Sequence, residues 1–347
     1  MNAAIFNGKG AVGVGERPDP KIRESTDAVV RVVRSCVCGS DLWFYRGESE
    51  YPPGSPIGHE FVGVVEKVGD SVRNVAVGDL VIAPFFYSDG TCPNCRAGIT
   101  TACVRGGPWG ANGIDGGQGE AVRSPLADGT LVKVPGSNLS EKTLASLLTL
   151  SDVMCTGHHA AVCGGVKKGA TVSVVGDGAV GLCAIIAAKR LGAERIIALS
   201  RNPARQKIAR EFGATDVVAE RGKDAINALL KLTDGVGVDS ALECVGTNES
   251  MQTALAIARP GSVVGVVGVP HGVEIPVTDI FFRNVGMRGG PAPARAYIPA
   301  LLTDVLKGRI NPGRVFDFKT DLDGISEAYA AMDERRAVKS LLHVSKL

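Results

Sequence analysis

The chain has 347 residues, 45% of them hydrophobic, enough for about two domain cores at a typical ~150 residues each. Lys+Arg 38 against Asp+Glu 36 leaves a net charge of +2, which excludes a large basic footprint for nucleic acid or an anionic membrane. No apolar run approaches the ~20 residues of a membrane span, and Met1–Ile5 lacks the charged start and apolar core of a signal peptide. A cytoplasmic enzyme or binding protein is expected, and its 9 cysteines are read as thiols or metal ligands rather than disulfides. The 45 glycines are about twice the usual share of ~7%, without a repeat or biased tract.

The first ~150 residues read as short β segments broken by Gly and Pro. Val29–Val33 and Phe61–Val65 are dense in β-branched residues and bounded by turn formers. After about Met154 the texture changes to alternating strands and helices. The spacing predicts strands at 170–175, 195–199, 216–219, 238–244 and 262–267. Between them it predicts helices at 179–191, 203–212, 223–232 and 249–258. Strands alternating with helices of this length form parallel βαβ units. From about Gly290 follow two helical stretches and a terminal strand, Ser340–Val344. These ~55 residues make a poor independent core and are expected to return to the first domain. The expected organisation is 1–153, a dinucleotide-binding 154–290, and a returning 291–347 in an α/β fold.

Gly176-Asp177-Gly178-Ala179-Val180-Gly181 follows the run Thr171–Val175 and opens a helix. In a strand-to-helix turn, these glycines allow a tight bend, close approach of a pyrophosphate and close helix packing. The helix N-terminus adds N–H donors and a positive dipole end. About 20 residues on, an acid would hold the ribose 2′-OH of NAD. Here the second strand runs into Ser200-Arg201-Asn202 with no acid. Ser200 can donate to a 2′-phosphate and Arg201 can pair with its charge, so NADP(H) is the expected cofactor.

Asp89-x2-Cys92-x2-Cys95-x7-Cys103 suits a tetrahedral structural Zn²⁺, with Asp89 as a carboxylate vertex beside three thiolates. A third, dispersed set comprises Cys38-Gly39-Ser40-Asp41, Gly58-His59-Glu60 and Ser151-Asp152. It offers a thiolate, an imidazole and carboxylates, enough for three ligands and an open position. The spacing does not itself bring them together.

With these motifs in the same order, the chain resembles the zinc-containing medium-chain alcohol dehydrogenases. Asp152 stands where many members have a second cysteine, as in the bacterial secondary-alcohol, threonine and polyol dehydrogenase branches. Glu243-Cys244-Val245-Gly246 and Gly289-Gly290 resemble the family's nicotinamide-side segments. The resemblance implies a β-rich GroES-like catalytic domain and a doubly wound Rossmann domain. It places Cys38, His59 and Asp152 on a catalytic zinc, Glu60 as a near or exchangeable ligand, and Asp41 behind His59. Ser40 would carry the substrate proton. Gly176, Gly178, Ala179, Val180, Gly181, Ser200, Arg201, Val245, Gly246 and Gly289 would meet the cofactor, with Lys339 reaching the pyrophosphate or remaining a surface charge. Trp43, Phe85 and Trp109 are pocket candidates, Trp109 equally a packing residue. Trp43 replaces a proton-relaying histidine of many relatives. His158 and His159 read as packing or cofactor-side residues.

The expected activity is hydride transfer between NADP(H) and a secondary alcohol, ketone or aldehyde. Polyol or threonine oxidation, zinc-free enone or quinone reduction, and non-catalytic NADP(H) binding are the alternatives. The resemblance also implies a homodimer or homotetramer paired through the Rossmann sheet.

Overall fold

A computed structural model describes residues 1–111, 113–136 and 139–347. The chain divides into two compact units, Met1–Asp152 with Pro293–Leu347, and Val153–Ala292. No helix among the described residues is long and apolar enough to cross a membrane.

The first unit is built on a sheet in the order Val132–Lys133, Leu80–Ala83, Phe61–Val68, Ala28–Cys36, Lys339–His343 and Phe316–Asp321, with Ala121–Ser124 also pairing Ala28–Cys36. The central strand, AVVRVVRSC, is buried along almost its whole length. Such a run of β-branched residues suits a strand covered on both faces. Near its end, Cys36, Ser35 and Arg34 pair antiparallel with Leu341, Leu342 and His343, so the C-terminal strand completes this sheet. Phe61, Tyr87, Trp109 and Ile114 belong to one core cluster, and Phe6, Leu42, Ile57 and Tyr329 to another.

The second unit is a six-stranded sheet in which the spatial order is Asp216–Val218, Arg195–Leu199, Thr171–Val175, Val238–Glu243, Ala258–Val266 and Gly286–Gly289. Every pairing is parallel. The order reverses at Thr171–Val175, which makes its C-terminal end the topological switch point where such sheets bind ligands. The helix expected to 258 ends at Ile257, and the next strand starts at Ala258 rather than Ser262. Helix Val277–Arg283 and strand Gly286–Gly289 have no counterpart in the sequence reading. The strand, GMRG, has two glycines and no β-branched residue, which hides it from propensity.

Candidate metal centres and dinucleotide turn

Three segments of the first unit converge. Cys38 follows the central strand, His59 and Glu60 precede Phe61–Val68, and Asp152 follows the turn Thr149–Ser151. Ser151 ties that turn to the sheet: its hydroxyl donates to the Phe61 carbonyl at 3.2 Å, and its carbonyl accepts from the Phe85 N–H at 2.9 Å. Ligand atoms of Cys38, His59, Glu60 and Asp152 all lie within 4.8 Å of one another. Cys38 Sγ and His59 Nε2 are each 3.4 Å from Asp152 Oδ2.

His59 is aimed by Asp41, whose Oδ1 lies 3.3 Å from His59 Nδ1. Asp41 Oδ2 accepts from the Cys38 N–H at 3.0 Å, Gln118 Nε2 at 3.3 Å and the Tyr329 hydroxyl at 3.4 Å. Gln118 also donates to the Cys36 carbonyl at 2.9 Å. Gln118 and Tyr329 escaped the sequence reading because nothing in their spacing marks them. The structure gives Gly58 its reason: its backbone has φ +92°, and an added Cβ would lie 2.3 Å from Gln118 Cγ. Only glycine lets Gln118 pass behind His59.

Burial by itself would lower the His59 pKa, but Asp41, Cys38 and Asp152 hold the imidazole well above its ordinary value. Burial, then Asp152, pushes the Cys38 thiol up. With Cys38, Asp41, Asp152 and Glu60 gathered about one imidazole, the pocket offers several anionic donors suited to a divalent cation. Glu60 Oε2 is buried without a hydrogen-bond partner, a further donor left over for one. This donor set fits zinc.

Lys339 is a correction. It was expected at a pyrophosphate or the surface, but its side chain is 1% exposed and Nζ lies 2.6 Å from Glu60 Oε1, with a second donation to the Val37 carbonyl at 3.1 Å. It lies on the terminal strand, and its charge neutralises Glu60. Of the two readings of Trp109, packing is the one its surroundings favour: at 5% exposure it lies in the core against Phe61 and Tyr87, its indole N–H donating to Pro84 O at 2.8 Å. A large ring with its single donor satisfied is a packing residue. Phe85 does lie beside the site, its ring 6.3 Å from that of His59. Trp43 is half-buried on helix Asp41–Tyr45. Ser40 precedes that helix, and its hydroxyl caps none of the helix N–H groups.

The ligand atoms of Asp89, Cys92, Cys95 and Cys103 also lie within 4.8 Å of one another. Cys92 caps helix Pro93–Arg96, its Sγ accepting from the Cys95 N–H at 3.5 Å. Asp89 Oδ1 accepts from the Thr91 and Cys92 N–H groups at 2.7 and 2.8 Å, and Oδ2 from Arg105 Nε at 2.9 Å. Against burial, these donors hold the Asp89 carboxyl far below the usual carboxylate range. A permanently charged carboxylate beside three thiols fits structural zinc.

In the second unit, the turn at Gly176 has φ +118°, and a Cβ on Gly181 would lie 2.0 Å from the Gly176 carbonyl oxygen. A Cβ on Gly178 would meet nothing within 4 Å, leaving open space over the first turn of helix Ala179–Arg190, which also places Val180. The turn therefore suits an approaching pyrophosphate. The Val245 and Gly246 N–H groups donate to Glu243 Oε1 at 2.9 and 2.8 Å. Gly289 ends the last strand. Ser200 closes the second strand and donates not outward but to Asp177 Oδ2 at 2.9 Å, while Arg201 is exposed. His158 and His159 are buried on helix Val153–Cys163, a ring nitrogen of His159 lying 3.5 Å from Cys163 Sγ.

Two family models match the chain: an alcohol dehydrogenase GroES-like domain over residues 24–136 and a zinc-binding dehydrogenase over residues 179–306. The zinc-type alcohol dehydrogenase B of Aspergillus flavus is 33% identical over 350 residues, covering 98% of this chain and 80% of that protein. The alcohol dehydrogenase TADH from Thermus sp. ATN1 superposes with a TM-score of 0.92 at 35% identity, covering 99% of this chain and 100% of that one. A Sinorhizobium meliloti 1021 protein solved bound to NADP superposes at 0.85 with 26% identity, covering 99% of this chain and 98% of that one. The chain belongs to the zinc-containing medium-chain dehydrogenase/reductase family and is an oxidoreductase of the zinc-type alcohol dehydrogenase kind.

Proposed function

We propose that the chain transfers hydride between NADP(H) and a secondary alcohol, ketone or aldehyde. The observation that carries this reading is the convergence of Cys38, His59 and Asp152, with Glu60 beside them, on one anionic pocket. When bound there, zinc supplies a Lewis acid for the substrate oxygen, and the dinucleotide supplies or accepts the hydride. Asp41 holds the His59 ring at Nδ1, leaving Nε2 for the metal side. Ser40 Oγ relays the hydroxyl proton in the oxidation direction, accepting it while its own hydroxyl proton passes on to the cofactor ribose hydroxyls and water, a role typically contributing ~10²–10⁴-fold. Phe85 and Trp43 form an apolar wall that favours a carbonyl carbon with alkyl substituents and limits water.

NADP(H) is supported by the exposed Arg201 just past the second strand and by the relative solved with NADP. A homodimer or homotetramer is supported by the last strand, Gly286–Gly289, and by Phe281 and Phe282 on the preceding helix, 73% and 77% exposed. None of the nine cysteines is in a disulfide, which suits a reducing, cytoplasmic setting.

The test is NADPH and NADH oxidation over a panel of ketones, aldehydes, enones and quinones, with and without a chelator. Ketone or aldehyde turnover lost on chelation and restored by Zn²⁺ is expected. Turnover confined to enones or quinones and unaffected by the chelator would overturn the reading.

A further inference from the structure

The strand-end acid missing from the sequence has a substitute supplied by the turn. Asp177 lies between Gly176 and Gly178, and its carboxylate reaches the end of the second strand. Oδ2 accepts from Ser200 Oγ at 2.9 Å, and Oδ1 lies 3.2 Å from a guanidinium nitrogen of Arg205. Arg205 is 8% exposed on helix Pro203–Phe212, which Asn202 caps through the Ala204 and Arg205 N–H groups. Gln206 Nε2 fixes the Ser200 carbonyl at 2.7 Å. The carboxylate is therefore held rigidly from two sides, at the place where an acid of this fold meets the adenosine ribose.

We propose that Asp177 sets how strongly the chain discriminates between the two nicotinamide dinucleotides, acting against Arg201. The inference rests on the dinucleotide reading of this turn. A ribose 2′-OH can donate to Asp177. A 2′-phosphate meets a like charge there, and finds the Ser200 hydroxyl and the Arg205 guanidinium already engaged. Arg201, exposed at the next position, attracts the phosphate. The cofactor preference is the difference between these opposed effects, so discrimination is shallow while the carboxylate remains.

Dissociation constants for NADPH and NADH, measured by fluorescence titration on the wild type, Asp177→Asn and Asp177→Ser, test this without turnover. ADP-ribose and its 2′-phosphate serve as redox-inactive competitors. The asparagine keeps the shape and an accepting oxygen, and the serine variant provides a second, smaller neutral side chain. Both should tighten NADPH at least tenfold relative to NADH, and the competitors should show the same shift. A ratio within twofold of wild type in both variants would overturn the role of Asp177 while leaving the dinucleotide site standing. A wild type that binds none of the four probes would overturn that site and the proposal with it.

Discussion

Replacing Lys339 by methionine probes the least expected contact of the catalytic pocket. Nζ is 2.6 Å from Glu60 Oε1, and the two side chains are 1% and 0% exposed. Methionine fills nearly the same volume, so packing changes little and the main effect is an uncompensated carboxylate in the core. Breaking a buried pair from one side costs about 3–5 kcal/mol. At ~2–4 °C per kcal/mol for a domain of this size, the melting temperature should fall by roughly 6–20 °C. Both tryptophans, Trp43 and Trp109, lie in the first unit, so their fluorescence follows its unfolding without interference from the second. Glu60→Gln in the Lys339→Met background removes the stranded charge and should recover more than half of the loss, completing a double-mutant cycle. A single variant melting within about 2 °C of wild type, or strictly additive losses, would refute a buried ion pair.

Cys95→Ser should remove the zinc of the small lobe and lower the melting temperature while sparing chemistry in the surviving folded fraction, because a structural zinc contributes folding free energy; metal analysis alongside a thermal melt checks both. Arg201→Asp should shift the ratio of kcat/KM values toward NADH by at least tenfold, since it removes an attraction and adds a repulsion; an unchanged ratio argues against its cofactor role. Trp109→Ala should cost about 3–5 kcal/mol in urea unfolding without altering KM, as expected of a core ring rather than a pocket wall.

The doubly wound domain was legible because its strands and helices alternate in texture, and its glycine turn sits where the first strand meets a helix. The edge strand Gly286–Gly289 was not, since pairing along Val263–Val266 rather than its own composition makes it a strand. Residue chemistry announced both metal sets, but only the fold brings Cys38, His59 and Asp152 together from three distant segments. Lys339 shows the converse limit. A lysine near the chain end reads as a solvated charge until Leu341 pairs with Cys36 and carries it into the core beside Glu60. The Ser200-Arg201 step likewise read as free of acid, because the carboxylate that reaches it belongs to Asp177, 23 positions earlier.

His59 is assigned to a catalytic zinc, and the zinc content and turnover of His59→Ala beside the wild type measure that role. The variant should retain the zinc of the cysteine lobe, lose the second equivalent and lose ketone or alcohol turnover, while still binding the dinucleotide. Wild-type zinc content with wild-type turnover in His59→Ala would refute a zinc-binding role for His59.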